Sequence, residues 1–429
     1  MFRQLSITLT LLASTVLTCC HGSAGGAAFW FPPASPLQPP KNQEKPAYDV
    51  QTLKPDVKLG KVPLIELAPR VPLTKEKIDQ IKTCIARLAD IDRPDFGLSS
   101  TMSGRAFLPL PDQYQLGVML LTNHQLKSSV ALKTLIEMGP EALPYLLDSL
   151  GDKTPTKLII GNQSGFVTFW FGERLQGNPA SESEMKVLNV SKPREDEKAI
   201  ESYTVKIGDV CFVAIGQIVG RGYQAVRYQP TASIVINSPT ENAQLREQVR
   251  KIWSSDDSTR KLLNALLLDY ATEPVYQGTL SGWDTGSELQ IQAAMRLLYY
   301  YPKESTALIA ERLRKLDVSK TSSHGKGSPA TNKELDAYVR REVANGLRTD
   351  EFVKAVSWCK EPQVREAIRA IFVKTDDIDI LLAALPGIED TDRNLMMNRL
   401  QGFLNALPAE EGISGDGYNL LTAIAGRVG

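Results

Sequence analysis

An excess of charge of either sign is the first thing this chain lacks. Lys and Arg number 49 and Asp and Glu 49, so the formal net charge is zero over 429 residues. A protein that neutralises phosphates needs a clustered cationic face, and the balance argues against nucleic acid as a partner. Histidine is scarce too. Of the three, His21 lies near the N-terminus, His124 follows Asn123 at an expected helix start, and His324 sits in the Gly- and Ser-containing stretch 320–329. None has a second His, Cys or carboxylate at ligand spacing, so no metal site is expected. The run Gly216-Gln217-Ile218-Val219-Gly220 lacks the Lys-Ser/Thr ending of a phosphate loop, and no G-x-S-x-G elbow occurs. No cofactor and no catalytic residue set is expected. No apolar run is long enough to span a bilayer.

What is there begins with an address. Arg3, the apolar run Leu5 to Leu17 and the small residues Gly22-Ser23-Ala24 have the layout of a secretory signal peptide over 1–24, which implies export to a periplasmic, envelope or extracellular location. Cys19 and Cys20 admit a lipid anchor, but Thr18 and Cys19 are poor fits to the small residue such a site prefers, so simple export is favoured. Residues 25–73 carry Pro32, Pro33, Pro36, Pro39, Pro40, Pro46, Pro55, Pro63, Pro69 and Pro72 and are expected to form a disordered, extended spacer. Cys84, Cys211 and Cys359 remain, each in an apolar periodic context. Their odd number favours separate buried thiols over a disulfide framework.

The stretch 127–152, KSSVALKTLIEMGPEALPYLLDSLGD, reads as two short amphipathic helices around a Gly-Pro turn. Val130, Leu132, Leu135 and Ile136 recur at helical spacing, and Leu143, Leu146, Leu147 and Leu150 mark the second stripe. Gly139 can end the first helix, while Pro140 and Pro144 suit a helix entry. Neither helix is long enough to stand alone, so neighbours must cover both stripes. The run 131–144, ALKTLIEMGPEALP, resembles a HEAT-type repeat, and so does Glu361-Pro362-Gln363-Val364-Arg365-Glu366-Ala367. The resemblance implies a mainly α chain whose helical hairpins stack as an α-solenoid, and by analogy a surface that holds another protein.

The remaining chain fits that frame with one interruption. Residues 74–151 are expected as N-terminal helical repeats, with Thr74 as a helix cap. Segment 152–239 is expected as a small β-containing insertion, with strands at 158–163 and 165–172 around a turn, a helix from Asp209 to Val219, and extended chain at 232–237. Residues 240–429 return to helices in pairs, the first three pairs starting about 45 residues apart, a HEAT-like spacing.

Two surfaces are candidates for a partner. The aromatic strand offers Phe169, Trp170 and Phe171, and the C-terminal helices offer Arg340, Arg341, Arg365 and Arg369 with Arg348 nearby. The bland alternatives are a strand face packed on the helices and arginines solvated beside Glu342, Asp350 and Glu366. The acidic runs Asp256-Asp257, Asp376-Asp377-Asp379 and Glu389-Asp390-Asp392 fall at helix starts, where carboxylates cap N–H groups. The expected function is a non-catalytic, exported interaction or scaffold module with an unidentified protein partner. Two other readings stay open. One is an enzyme or small-ligand binder sited in 152–239, using His124, Asp209, Cys211 or Arg227. The other is an envelope-associated structural component.

Overall fold

Helix begins where the sequence supplies a cap. The Thr74 hydroxyl accepts from the Lys77 amide, and α1 (Lys75–Arg87) follows with Ile81, Cys84 and Ile85 buried. Ser129 does the same for α2 (Val130–Met138) through the Leu132 amide. The computed structural model describes residues 57–93, 107–110, 129–161, 169–170, 202–223, 225–228, 234–274, 280–319, 332–406 and 415–428. All of them belong to one compact unit spanning Thr52–Gly429. The expected signal peptide, Cys19, Cys20, the first part of the Pro-rich stretch, Phe171, His124 and His324 lie outside the described residues.

The 127–152 hairpin forms as its residues require. Gly139 takes φ 55°, and a Cβ built there would lie 2.3 Å from the Tyr300 ring, so position 139 needs glycine for both backbone and space. A 3-10 turn over Gly139–Glu141 leads into α3 (Leu143–Asp148), with Pro144 in its first turn. Each helix buries its apolar stripe, Leu132, Leu135 and Ile136 on one and Leu143, Leu146 and Leu147 on the other.

Segment 152–239 does not stand apart from these helices. Its helix α4 (Ile207–Val219) is buried at every one of its 13 residues. It packs against α1, α2, α3 and the helix Ser258–Tyr270 described below. Gly208 lets it approach: a Cβ there would meet the Leu150 carbonyl at 2.5 Å. The helix starts two residues before the expected Asp209 because Asp209 works from the third helical position, accepting the Lys206 N–H at 2.9 Å. The expected hairpin between the two strands does not form among the described residues. β2 (Pro155–Gly161) pairs antiparallel with β4 (Ser202–Lys206), Ile160 facing Tyr203. β3 (Phe169–Trp170) runs parallel to β6 (Ile234–Ile236), which pairs antiparallel with β5 (Val226–Tyr228). The ribbon hides Thr156, Leu158 and Ile160 of β2 with Tyr203 and Val205 of β4. Burial of these matching faces selects the distant partner over the local turn.

From residue 243 the described residues are mainly helical: α5 (Ala243–Trp253), α6 (Ser258–Tyr270), α7 (Leu280–Tyr300), α8 (Pro302–Lys315), α9 (Asn332–Asn345), α10 (Thr349–Val356), α11 (Pro362–Lys374), α12 (Ile378–Ala384), α13 (Arg393–Ala406) and α14 (Gly415–Val428). The protein is therefore mainly α. One file of contacts runs α6–α7–α10–α12–α14; α8 packs on α11 beside it, and α7–α8, α11–α12 and α13–α14 join neighbours in sequence. Asp257 and Asp377 cap α6 and α12 by accepting from Arg260, Asp379 and Ile380 amides.

One expectation is corrected at the N-terminal side. Residues 57–73, the end of the presumed disordered spacer, are a docked strap. β1 (Val57–Leu59) pairs antiparallel with β7 (Thr272–Pro274), and Val62, Ile65 and Leu67 pack on the core. The Ala68 amide and Arg70 both reach Glu304 Oε1, at 3.2 and 3.0 Å. Prolines suit such an extended segment as well as they suit a free linker; the alternating apolar residues between them supply the anchor.

Candidate functional site

The strap, the Gly139–Glu141 turn and the start of α6 enclose a cleft of about 890 Å³, with Tyr299 and Tyr300 in its wall. The three tyrosines at the end of α7 are held differently. Tyr300 donates to the Ile136 carbonyl at 2.6 Å, and Tyr301 to that of Thr259 at 2.7 Å. Tyr299 packs edge-on to Phe107 and tilted on Trp358. Burial raises the pKa of the Tyr299 phenol, and the nearby Glu137 carboxylate adds to the shift.

The cleft's cations are matched inside the protein. Lys77 meets Glu141 at 3.1 Å, Arg260 meets Asp257 at 3.2 Å, and Arg70 bonds Glu304 while lying over the Tyr301 ring. The wall is thus near-neutral, with paired charges of both signs around aromatic and prolyl surface. Exposed Val71, 84% accessible, stands on the strap edge. Such a wall can take a polypeptide's mixed surface; it does not concentrate one sign of charge around a reacting atom. The turn and tyrosines are evident in the sequence, but the cleft needs the strap, whose docking the prolines conceal.

The candidate arginine surface loses one member to the core. Arg341 is a correction: it is 4% exposed, with Nε on Glu342 at 2.6 Å and Nη1 on Asp377 at 2.7 Å. Glu342 also accepts the Thr349 amide, and the cluster ties α9 to α10 and to the start of α12. Burial raises the Glu342 pKa against the pull of Arg341. Arg365 pairs with Glu389, Arg369 with Asp392 at 3.1 Å, and Arg348 with Glu351 at 2.6 Å. Arg340 alone of the row is exposed without an ion pair among the described residues. Asp377, Glu389 and Asp392 of the acidic runs pair with Arg341, Arg365 and Arg369, so these members of the two patterns tie helices to their neighbours. Phe169 and Trp170 occupy β3, in register with Val235 and Ile236 of β6.

Of the groups considered for chemistry in 152–239, Asp209 and Cys211 are fully buried. Asp209 accepts from Tyr203 at 2.7 Å, from the Lys206 amide and from Ser238. Burial raises its pKa, and those three donors pull the other way. Burial also lifts the Cys211 thiol far above its ordinary range. Cys84, Cys211 and Cys359 are unpaired buried thiols. A second buried polar seam goes unannounced by any motif. Arg221, just past α4, forms a two-point ion pair with Asp269 of α6, and Trp253 donates to Tyr223 at 2.8 Å beside it. Searches of family models, curated proteins and solved structures return no match to this chain.

Proposed function

We propose that the chain is a non-catalytic, exported interaction or scaffold module, built as a stack of HEAT-like helical hairpins, whose cleft beside Gly139–Glu141 receives a polypeptide partner. The observation that carries this reading is the cleft itself. It is walled by three segments distant in sequence, holds about 890 Å³, and has its ion pairs already satisfied within the protein. A partner would gain from aromatic and prolyl contact there without paying to strip unmatched charges of water. The two files of helix contacts, α7–α10–α12–α14 and α8–α11, support the stacked-hairpin part of the reading. Withdrawal of Asp209 and Cys211 into the core weighs against chemistry in 152–239.

The test is site-specific photocrosslinking in the source cells' envelope and secreted fractions. A photoreactive residue at Val71, on the cleft edge, is compared with one at Met397, 43% exposed on α13. A discrete adduct at Val71 that is absent at Met397 is the expected result. Matching smears at both positions, or no adduct at either, would remove the cleft as the binding surface.

A further inference from the structure

A second cavity, of about 840 Å³, opens between α10, α12 and α14. Leu382, Ala383, Leu385 and Pro386 give it apolar walls on one side, and Tyr418 and Ala423 on the other. Lys354 lines it from α10 and is half-buried. Among the described residues its ammonium has no hydrogen bond or ion pair, which sets it apart from the cations around it. Arg348 is taken by Glu351 at 2.6 Å. Arg427, across the cavity, is taken by Asp390 at 2.6 Å and by the Leu385 and Ile388 carbonyls. The carboxylates facing Lys354 are Asp350 one turn earlier on α10, Glu351 already held by Arg348, and Asp379 on α12. Burial lowers the Lys354 pKa, and Asp350 and Glu351 only partly oppose it. A desolvated, unpaired amine keeps more of itself neutral, and the neutral amine is the nucleophile.

We propose that Lys354 is a reactive amine whose cavity captures small apolar aldehydes as an imine. The Lys354 nitrogen lone pair forms a bond to the carbonyl carbon, giving a carbinolamine after proton transfer. Loss of the hydroxyl as water then leaves the C=N bond. Amine and aldehyde go to imine and water with no change of oxidation state. The apolar side of the cavity favours the aldehyde's hydrocarbon body.

The experiment uses the full folded chain with benzaldehyde at neutral pH. Cyanoborohydride supplies hydride that reduces the imine to a stable secondary amine, and peptide mapping reads the label at each lysine. Lys360 and Lys374, both exposed, serve as references. Label at Lys354 exceeding theirs severalfold and saturating with benzaldehyde is expected. Lys354→Arg should remove that saturable component and leave the reference lysines unchanged. In urea the preference should vanish as the cavity is lost. Lys354 labelling no faster than Lys360 in the folded chain overturns the proposal, as does a preference that survives unfolding.

Discussion

The Arg221–Asp269 pair offers the sharpest test of how the 152–239 segment is joined to the helices. The side chains are 1% and 2% exposed, and the guanidinium reaches both carboxylate oxygens, at 2.5 and 3.0 Å. Arg221 also lies over the Trp253 ring at 5.8 Å. Asp269→Ala would remove the carboxylate that balances a buried guanidinium. The Val219 and Gly220 carbonyls also lie within 3.4 Å of it, but a neutral carbonyl carries no charge to balance the guanidinium. Breaking one partner of such a pair costs about 3–5 kcal/mol, whereas replacing both by apolar groups of similar volume is near neutral or stabilising. Urea unfolding should therefore show Asp269→Ala and Arg221→Met each destabilised by about 3–5 kcal/mol. The double variant Arg221→Met with Asp269→Leu should recover most of that loss. Singles costing under about 1 kcal/mol, the range of exposed pairs, would refute the buried seam, and a double variant as weak as the summed singles would refute the charge-stranding argument.

Three further outcomes follow from the same packing. Gly139→Ala combines a left-handed backbone with a clash on the Tyr300 ring, so thermal unfolding should report a loss above about 1 kcal/mol; an unchanged midpoint would contradict the hairpin geometry. Asp209 has a raised folded pKa, so from about pH 4, where the unfolded carboxyl titrates, up through its folded value the native state holds a proton the unfolded state has lost, and stability falls as pH rises. Asp209→Asn can still accept from Tyr203 and Lys206, and urea midpoints across that range should lose this slope relative to wild type; parallel curves would rule the effect out. Deleting 152–239 removes α4, whose buried apolar side chains together rival the whole net stability of a domain, about 5–15 kcal/mol. Circular dichroism should show the remaining helices largely unfolded, and a chain that kept its helicity would make the segment a dispensable insertion after all.

Local chemistry was legible in the residues wherever one short stretch decides the outcome. Thr74, Ser129, Asp257 and Asp377 mark helix starts because a side-chain oxygen near free amides acts within a single turn. Gly139 and Pro140 mark the hairpin turn because backbone sterics are local as well. The apolar stripes on either side are periodic, so the helices themselves are legible from spacing. Tertiary structure decided what those stripes and charges meet. The expected helix over 209–219 forms, but directly after β4 and enclosed on all sides, a burial that its spacing does not announce. Prolines in the strap read as a spacer because the strap's partners, Thr272–Pro274 and Glu304, lie more than two hundred residues away. Arg341 and Arg340 are indistinguishable neighbours in sequence; one is buried against Glu342 and Asp377 while the other stays in solvent. Charge pairing and burial depend on distances between remote segments, and no local pattern encodes those distances.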